Sequence, residues 1–342
     1  MDMPTAYMQQ PAAVGMSIAL YRSGRQYFYN YGEVEKGTGR LPTATTYYNM
    51  GSVAKTFVAT LLAQAVLDKK VQLTDDIRRY LPGEYPNLEF AGHPVRLVDL
   101  ANHTASLPST SHVYPKALGD SLRALPLAPR IAYYSRYSAD SLLADLHHLR
   151  PTAQPGTTYR YNNLGPLILQ LLLERAYQQP YEEMVTRYVR SHFGMRDTKR
   201  VLSAAEQARY AVGYETPQHG QVSLNYTGYW GGTTLNSTPA DLLRYAQANL
   251  AAQDPAVRLA HQPTTTLPEG YAVGLVWRLD TDATGSRRIY HSGHFPGYNT
   301  WLAVYPEQDV AVVLLVNDNI SQDRLTELGQ QLKQELLAGA TH

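Results

Sequence analysis

The chain contains no cysteine, which excludes disulfides, thiolate zinc sites and a cysteine nucleophile, and fits either side of a membrane. It also lacks an excess of one charge, with 30 Lys and Arg against 29 Asp and Glu for a formal charge of +1. No global field is left to hold a nucleic-acid backbone or an anionic membrane, so a small-molecule or peptide substrate is expected and nucleic acid is not. Long apolar runs are missing as well. The most apolar stretches, residues 164–173 and 310–316, fall well short of the ~20 residues of a membrane helix, so no membrane span is expected and both read as core. Residues 1–11 have neither the basic nor the apolar region of a secretory signal. The location is therefore expected to be periplasmic or extracellular if a signal segment has been removed, and cytoplasmic otherwise. Fixed-period repeats and low-complexity tracts are absent. So is any Gly-x-Ser-x-Gly pentapeptide, which removes the α/β-hydrolase reading.

What remains is an ordinary globular chain of 342 residues, 44% hydrophobic, long enough for two domains or subdomains at ~150 residues each. Residues 14–21 and 26–33, rich in β-branched and aromatic types around Arg22-Ser23-Gly24-Arg25, predict a hairpin. Residues 271–279, 288–292, 298–305 and 309–317 repeat that grammar, and 321–338 predict a closing amphipathic helix. Helical patterns fill the middle at 52–68, 97–103, 139–149, 163–177, 181–192 and 239–251. Residues 106–130, with four prolines, are the least patterned segment. Strands at both ends predict one antiparallel sheet flanked by helices, an α+β arrangement with a mostly helical inserted lobe. Residues 1–52 and 237–342 would form the discontinuous sheet domain and 53–236 the lobe, with the active site in the cleft between them.

Three groups of residues carry chemistry. Gly51-Ser52-Val53-Ala54-Lys55 opens an apolar helix, and positions i and i+3 share a helix face, so the Lys55 amine can reach the Ser52 hydroxyl. A serine hydroxyl needs a base, and an amine serves as one only if burial or nearby cations lower its proton affinity. Free N–H groups at the helix N-terminus can face a developing oxyanion. The same spacing also arises where a serine caps a helix beside a solvated lysine. Tyr161-Asn162-Asn163 precedes the helical pattern at 164–177. A phenol there can relay a proton and a carboxamide can hold a substrate amide, although Asn163 could simply cap the helix and Tyr161 pack. His291-Ser292-Gly293-His294 ends a predicted strand. Glycine there permits close approach of a substrate backbone, and the next N–H can complete an oxyanion hole. A two-histidine metal site is a weaker possibility, since no carboxylate motif such as His-Glu-x-x-His supports it.

Together these groups resemble, in order and spacing, the boxes of the class C β-lactamases and the related DD-peptidases and esterases, the serine β-lactamase and penicillin-binding-protein-like family. Residues 73–82, 100–108 (LANHTASLP), 155–165 and 228–242 add to the match, which covers most of the chain. The resemblance implies a β-lactamase/transpeptidase-like fold and a serine hydrolase acting through an acyl-enzyme, with no cofactor and no metal. Ser52 would be the nucleophile, Lys55 the base and Tyr161 the proton relay. Asn163, His291, Ser292 and Gly293 would contact substrate, and the N–H groups of Ser52 and His294 would form the oxyanion hole.

Three departures stand out. His291 stands where many β-lactamases carry a lysine. A histidine of pKa ~6.5 is mostly neutral at pH 7 and offers a substrate carboxylate no fixed charge, so an esterase or D-amino peptidase is expected over an efficient β-lactamase. Ala105-Ser106 stands where relatives more often have Ser-Gly. Only residues 1–13 precede the first predicted strand, where relatives have a longer helix and an export signal, as a trimmed precursor would. Tyr47, Tyr48, Tyr133, Tyr134, Tyr229, Trp230 and Tyr298, drawn from 27 tyrosines against five phenylalanines, are candidate cleft rings. A catalytically inactive member that binds a peptide or cell-wall fragment is the competing function. The choice among ester, β-lactam and D-amino peptide, and the oligomeric state, stay open.

Overall fold

Seven successive apolar residues at 310–316 need cover on both faces, and helices on either side of one sheet supply it. The computed structural model describes residues 2–108, 116–125, 127–216, 219–221, 235–267 and 270–339. Its strands are β1 (Gly15–Arg22), β2 (Arg25–Gly32), β3 (Tyr48–Asn49), β4 (Glu89–Phe90), β5 (His93–Pro94), β6 (Gly213–Thr216), β7 (His219–Gln221), β8 (Asn236–Ser237), β9 (Thr265–Thr266), β10 (Ala272–Gly274), β11 (Trp277–Thr281), β12 (Arg287–Phe295), β13 (Tyr298–Tyr305) and β14 (Val310–Val316). Its helices are α1 (Asp2–Met8), α2 (Lys55–Leu67), α3 (Leu97–Ala101), α4 (Lys116–Ala124), α5 (Leu127–Tyr134), α6 (Ala139–Leu146), α7 (Leu164–Tyr177), α8 (Tyr181–Phe193), α9 (Ala204–Gln207), α10 (Pro239–Ala251), α11 (Pro255–Ala260) and α12 (Gln322–Leu337).

The eight-stranded sheet runs β2-β1-β14-β13-β12-β11-β10-β9 and is antiparallel throughout. β1 lies against β14 from Met16↔Val316 to Arg22↔Val310, so the two ends of the chain share one sheet. Alternation then divides the residues of β14 between two cores. Ala311, Val313 and Leu315 face the core that contains α2, α7 and α10, while Val310, Val312, Leu314 and Val316 face α12. The antiparallel sheet with flanking helices is the α+β arrangement expected from the sequence.

Two local expectations are overturned. The strand expected over 271–279 breaks between β10 and β11, where Leu275 and Val276 have φ of 35° and 77°. Positive φ is costly for a β-branched residue, and the bend lets the Val276 N–H reach the Ala101 carbonyl at 2.9 Å, tying the sheet to the end of α3. The least patterned segment, 106–130, expected as a loop, carries α4 and part of α5 among its described residues. Pro129 is tolerated in the first turn of α5, where backbone N–H groups have no intrahelical partner.

Candidate active site

The approach to Ser52 is fixed by backbone. β3 pairs with β8, the Met50 N–H donates to the Leu235 carbonyl at 3.0 Å, and the Asn49 side chain accepts the Gly51 N–H at 2.9 Å. Residues Gly51–Ala54 then form a 3₁₀ turn that leads into α2. In a 3₁₀ turn side chains i and i+3 eclipse, a closer alignment than the α-helix the sequence suggests there. Lys55 Nζ donates to Ser52 Oγ at 2.7 Å. Lys55 is only 5% exposed, and among the described residues no carboxylate lies within ion-pair distance of it.

β12 is pressed against this turn through two glycines. A Cβ on Gly293 would lie 2.2 Å from the Met50 carbonyl oxygen and 3.1 Å from the Ser52 nitrogen. A Cβ on Gly51, whose φ is +51°, would lie 2.6 Å from the His294 nitrogen. The two glycines therefore bring the backbones of Ser52 and His294 side by side.

Tyr161 reaches the pair from the helical part, its ring centroid 5.7 Å from Lys55 Nζ and 6.5 Å from the His291 ring. The two asparagines after it divide the work. Asn162 is buried, accepts the Leu164 N–H at 2.5 Å and donates to the carbonyls of Leu107 and Pro108. Asn163 is exposed and makes no side-chain capping bond. Capping α7 thus falls to Asn162, and the Asn163 carboxamide is left for another partner.

His291 and His294 lie three apart on a strand and face opposite ways. His294 is exposed, with Nδ1 3.1 Å from Asn299 Oδ1. His291 is buried. Its Nδ1–H donates to the Ser292 carbonyl at 2.7 Å, which leaves Nε2 as a lone pair with no hydrogen-bond partner among the described residues. Burial first, then the Arg278 and Lys55 cations, hold its pKa well below the ordinary imidazole value. The ring is therefore neutral at pH 7, and for a stronger reason than its unperturbed pKa.

Two residues here carried no role in the sequence reading. Arg278 on β11 stands opposite Tyr290 of β12, its guanidinium 6.0 Å from the Tyr290 ring and near enough to Tyr159 and His291 for its charge to act on both. Among the described residues it has no ion-pair partner. His103 packs on Tyr161 with ring centroids 4.6 Å apart. Only the position of His103 within LANHTASLP was a hint in the sequence.

Of the candidate cleft rings, Tyr47, Tyr48 and Tyr298 are buried core side chains. Tyr298 accepts the Gly213 N–H and donates to the Ala211 carbonyl, so it ties loops together and lines no cleft. Tyr133 and Tyr134 sit on α5, edge to face at 5.8 Å. Tyr229 and Trp230 lie outside the described residues.

The Ala105-Ser106 departure has a physical account. Ser106 has φ +53°, the left-handed region that favours glycine, and its buried hydroxyl has no hydrogen-bond partner among the described residues. Ser106→Gly relieves both penalties against a gain in unfolded-chain entropy. It should raise stability by about 1 kcal/mol, read as a higher urea midpoint at unchanged m-value.

A hydroxyl bonded to a buried amine at the start of a helix, packed against β12 of an antiparallel sheet, is the arrangement a serine hydrolase uses. The chain belongs to the β-lactamase family, whose family model, described as Beta-lactamase, matches residues 3–335. A β-lactamase of Lysobacter lactamgenus is 24% identical, with 96% of this chain and 88% of that protein covered. The D-alanyl-D-alanine-carboxypeptidase/endopeptidase AmpH of Escherichia coli (strain K12) is also 24% identical, with 89% of this chain and 79% of that protein covered. Among solved structures, a class C β-lactamase superposes with a TM-score of 0.81 at 23% identity, covering 98% of this chain and 94% of that one.

Proposed function

We propose that this protein hydrolyses a peptide or ester bearing a carboxylate near the scissile carbonyl, through an acyl-enzyme on Ser52, in the cleft between the sheet unit (residues 1–52 and 237–342) and the helical lobe (53–236). One observation carries the reading: the 2.7 Å bond between Ser52 Oγ and the buried Lys55 amine. Ser52 Oγ attacks the carbonyl carbon and its proton passes to Lys55. The N–H groups of Ser52 and His294 receive the oxyanion, the proton taken by Lys55 passes through Tyr161 to the leaving group as the scissile bond breaks, and water then hydrolyses the acyl ester and restores the Ser52 hydroxyl. Asn163 holds the substrate amide, and His291, Ser292 and Gly293 form the strand wall along which substrate lies.

Arg278 supports the carboxylate. The strand histidine is neutral, so the fixed positive charge acting on this part of β12 is the Arg278 guanidinium, which among the described residues has no ion-pair partner. Arg278→Leu should raise KM for a carboxylated peptide or β-lactam about tenfold, a typical value for one lost charge-assisted contact, and shift it less than about twofold for p-nitrophenyl acetate. Equal effects on both would remove Arg278 from substrate binding.

The test of the reaction itself is intact-protein mass after p-nitrophenyl acetate at neutral pH, quenched within seconds. An acetyl adduct on wild type and none on Ser52→Ala is the expected result. Absence of both adduct and p-nitrophenol release overturns the reading.

A further inference from the structure

Residues 157–162 belong to no strand or helix, yet Tyr161 must hold its phenol steady to move a proton. The backbone N–H groups of its two neighbours both bind a single residue. The Arg160 N–H donates to the His103 carbonyl at 2.8 Å, and the Asn162 N–H donates to His103 Nδ1 at 3.3 Å. The imidazole also packs on Tyr161 at 4.6 Å and meets Tyr159 edge-on at 6.0 Å. One residue thus gives this stretch the paired bonds that a neighbouring strand would otherwise supply.

We propose that His103 is the positioning residue of Tyr161, gripping the chain on both sides of the phenol so that it stays over Lys55 and Ser52. The inference rests on the serine-hydrolase reading above.

Three features favour this over packing alone. Accepting at Nδ1 requires a neutral ring with its proton on Nε2. Burial, then Lys55 and Arg278, depress the pKa of His103 to about 3, so the acceptor persists at any working pH. That Nε2–H is buried with no hydrogen-bond partner among the described residues, a cost that leucine or phenylalanine would avoid. The backbone of His103 is also left-handed, with φ +57°, and this turn is what aims both its carbonyl and its ring at residues 160–162.

The experiment measures p-nitrophenyl acetate turnover and thermal midpoint for wild type, Ser52→Ala, Tyr161→Phe, His103→Ala, His103→Asn and the double variant His103→Ala/Tyr161→Phe. His103→Ala should lower kcat about 10²-fold with KM within about twofold, as expected when a catalytic group is misplaced by about 1 Å. His103→Asn should recover kcat to within about fivefold of wild type, because its amide oxygen stands near the Nδ1 position and asparagine accepts the left-handed backbone. In the Tyr161→Phe background, where no phenol is left to position, His103→Ala should cost nothing further.

Wild-type kcat in His103→Ala, no recovery in His103→Asn, or an undiminished His103→Ala effect in the Tyr161→Phe background overturns the proposal while leaving the serine-hydrolase reading intact. Wild-type turnover by Ser52→Ala or Tyr161→Phe, or no turnover by wild type, overturns that reading and this role with it. If His103→Ala does not fold, His103→Gln, which fills the space without an acceptor at the Nδ1 position, takes its place under the same criteria.

Discussion

Ser52→Ala is expected to lose at least about 10³-fold in turnover of any ester or peptide the enzyme accepts, because the covalent intermediate has no other atom on which to form. The fold should survive the change. Ser52 is half-buried on a 3₁₀ turn, and the side-chain hydrogen bond it loses is the one from Lys55. Gly51, Val53 and Ala54, which pack the turn, are untouched. Far-UV circular dichroism and the thermal midpoint of Ser52→Ala should therefore match wild type while the acetyl adduct disappears. Retained turnover at an unchanged midpoint would remove Ser52 as nucleophile and reassign Lys55 as a buried structural cation.

The second large effect falls on a residue with no side chain. In Gly293→Ala the new methyl would stand 2.2 Å from the Met50 carbonyl oxygen, far inside van der Waals contact. Both atoms belong to backbones held at each side, Met50 by its bond to Leu235 and β12 by its ladder with β13, so no rotamer change can relieve the clash. The strand must move away from the 3₁₀ turn. Overpacking of this kind costs roughly 1–3 kcal/mol or more, and the displacement separates the N–H groups of Ser52 and His294. Loss of one oxyanion donor is typically worth 10²–10³-fold in kcat. Gly293→Ala should accordingly lower the urea midpoint and cut kcat at least about 10²-fold, with KM less affected. A variant of wild-type activity would show that the strand and the turn have more room than the geometry gives them.

Ser52 and Lys55 were legible because their partnership is local, three residues apart on one turn, and needs no knowledge of the rest of the chain. The sheet was legible from β-branched runs bounded by turn residues, and the all-apolar β14 could only be a strand covered on both faces. Other features depend on packing between distant segments and left little trace. Arg278 looks like any charged residue in a strand until the fold brings its charge within reach of His291 and His103. His103 acts through its backbone as much as its ring, and the left-handed turn that aims it is a product of how α3 meets the loop at 160–162. The bend at Leu275 and Val276 contradicts the β preference of those residues and is held by a bond to Ala101. Tyrosine was the least informative composition signal, since a phenol serves equally well as a core side chain with a polar tip, as at Tyr298, and as a ring beside Lys55, as at Tyr161.

The pairing of β1 with β14 also sets an order of assembly. A chain leaving the ribosome presents Ser52, with the turn and helix that carry it, well before β12 and β14. Closing so wide a loop is slow compared with forming local helices. Ser52 and Lys55 are therefore translated long before the strands that complete their surroundings, and the site can form only once β12 and β14 have been made.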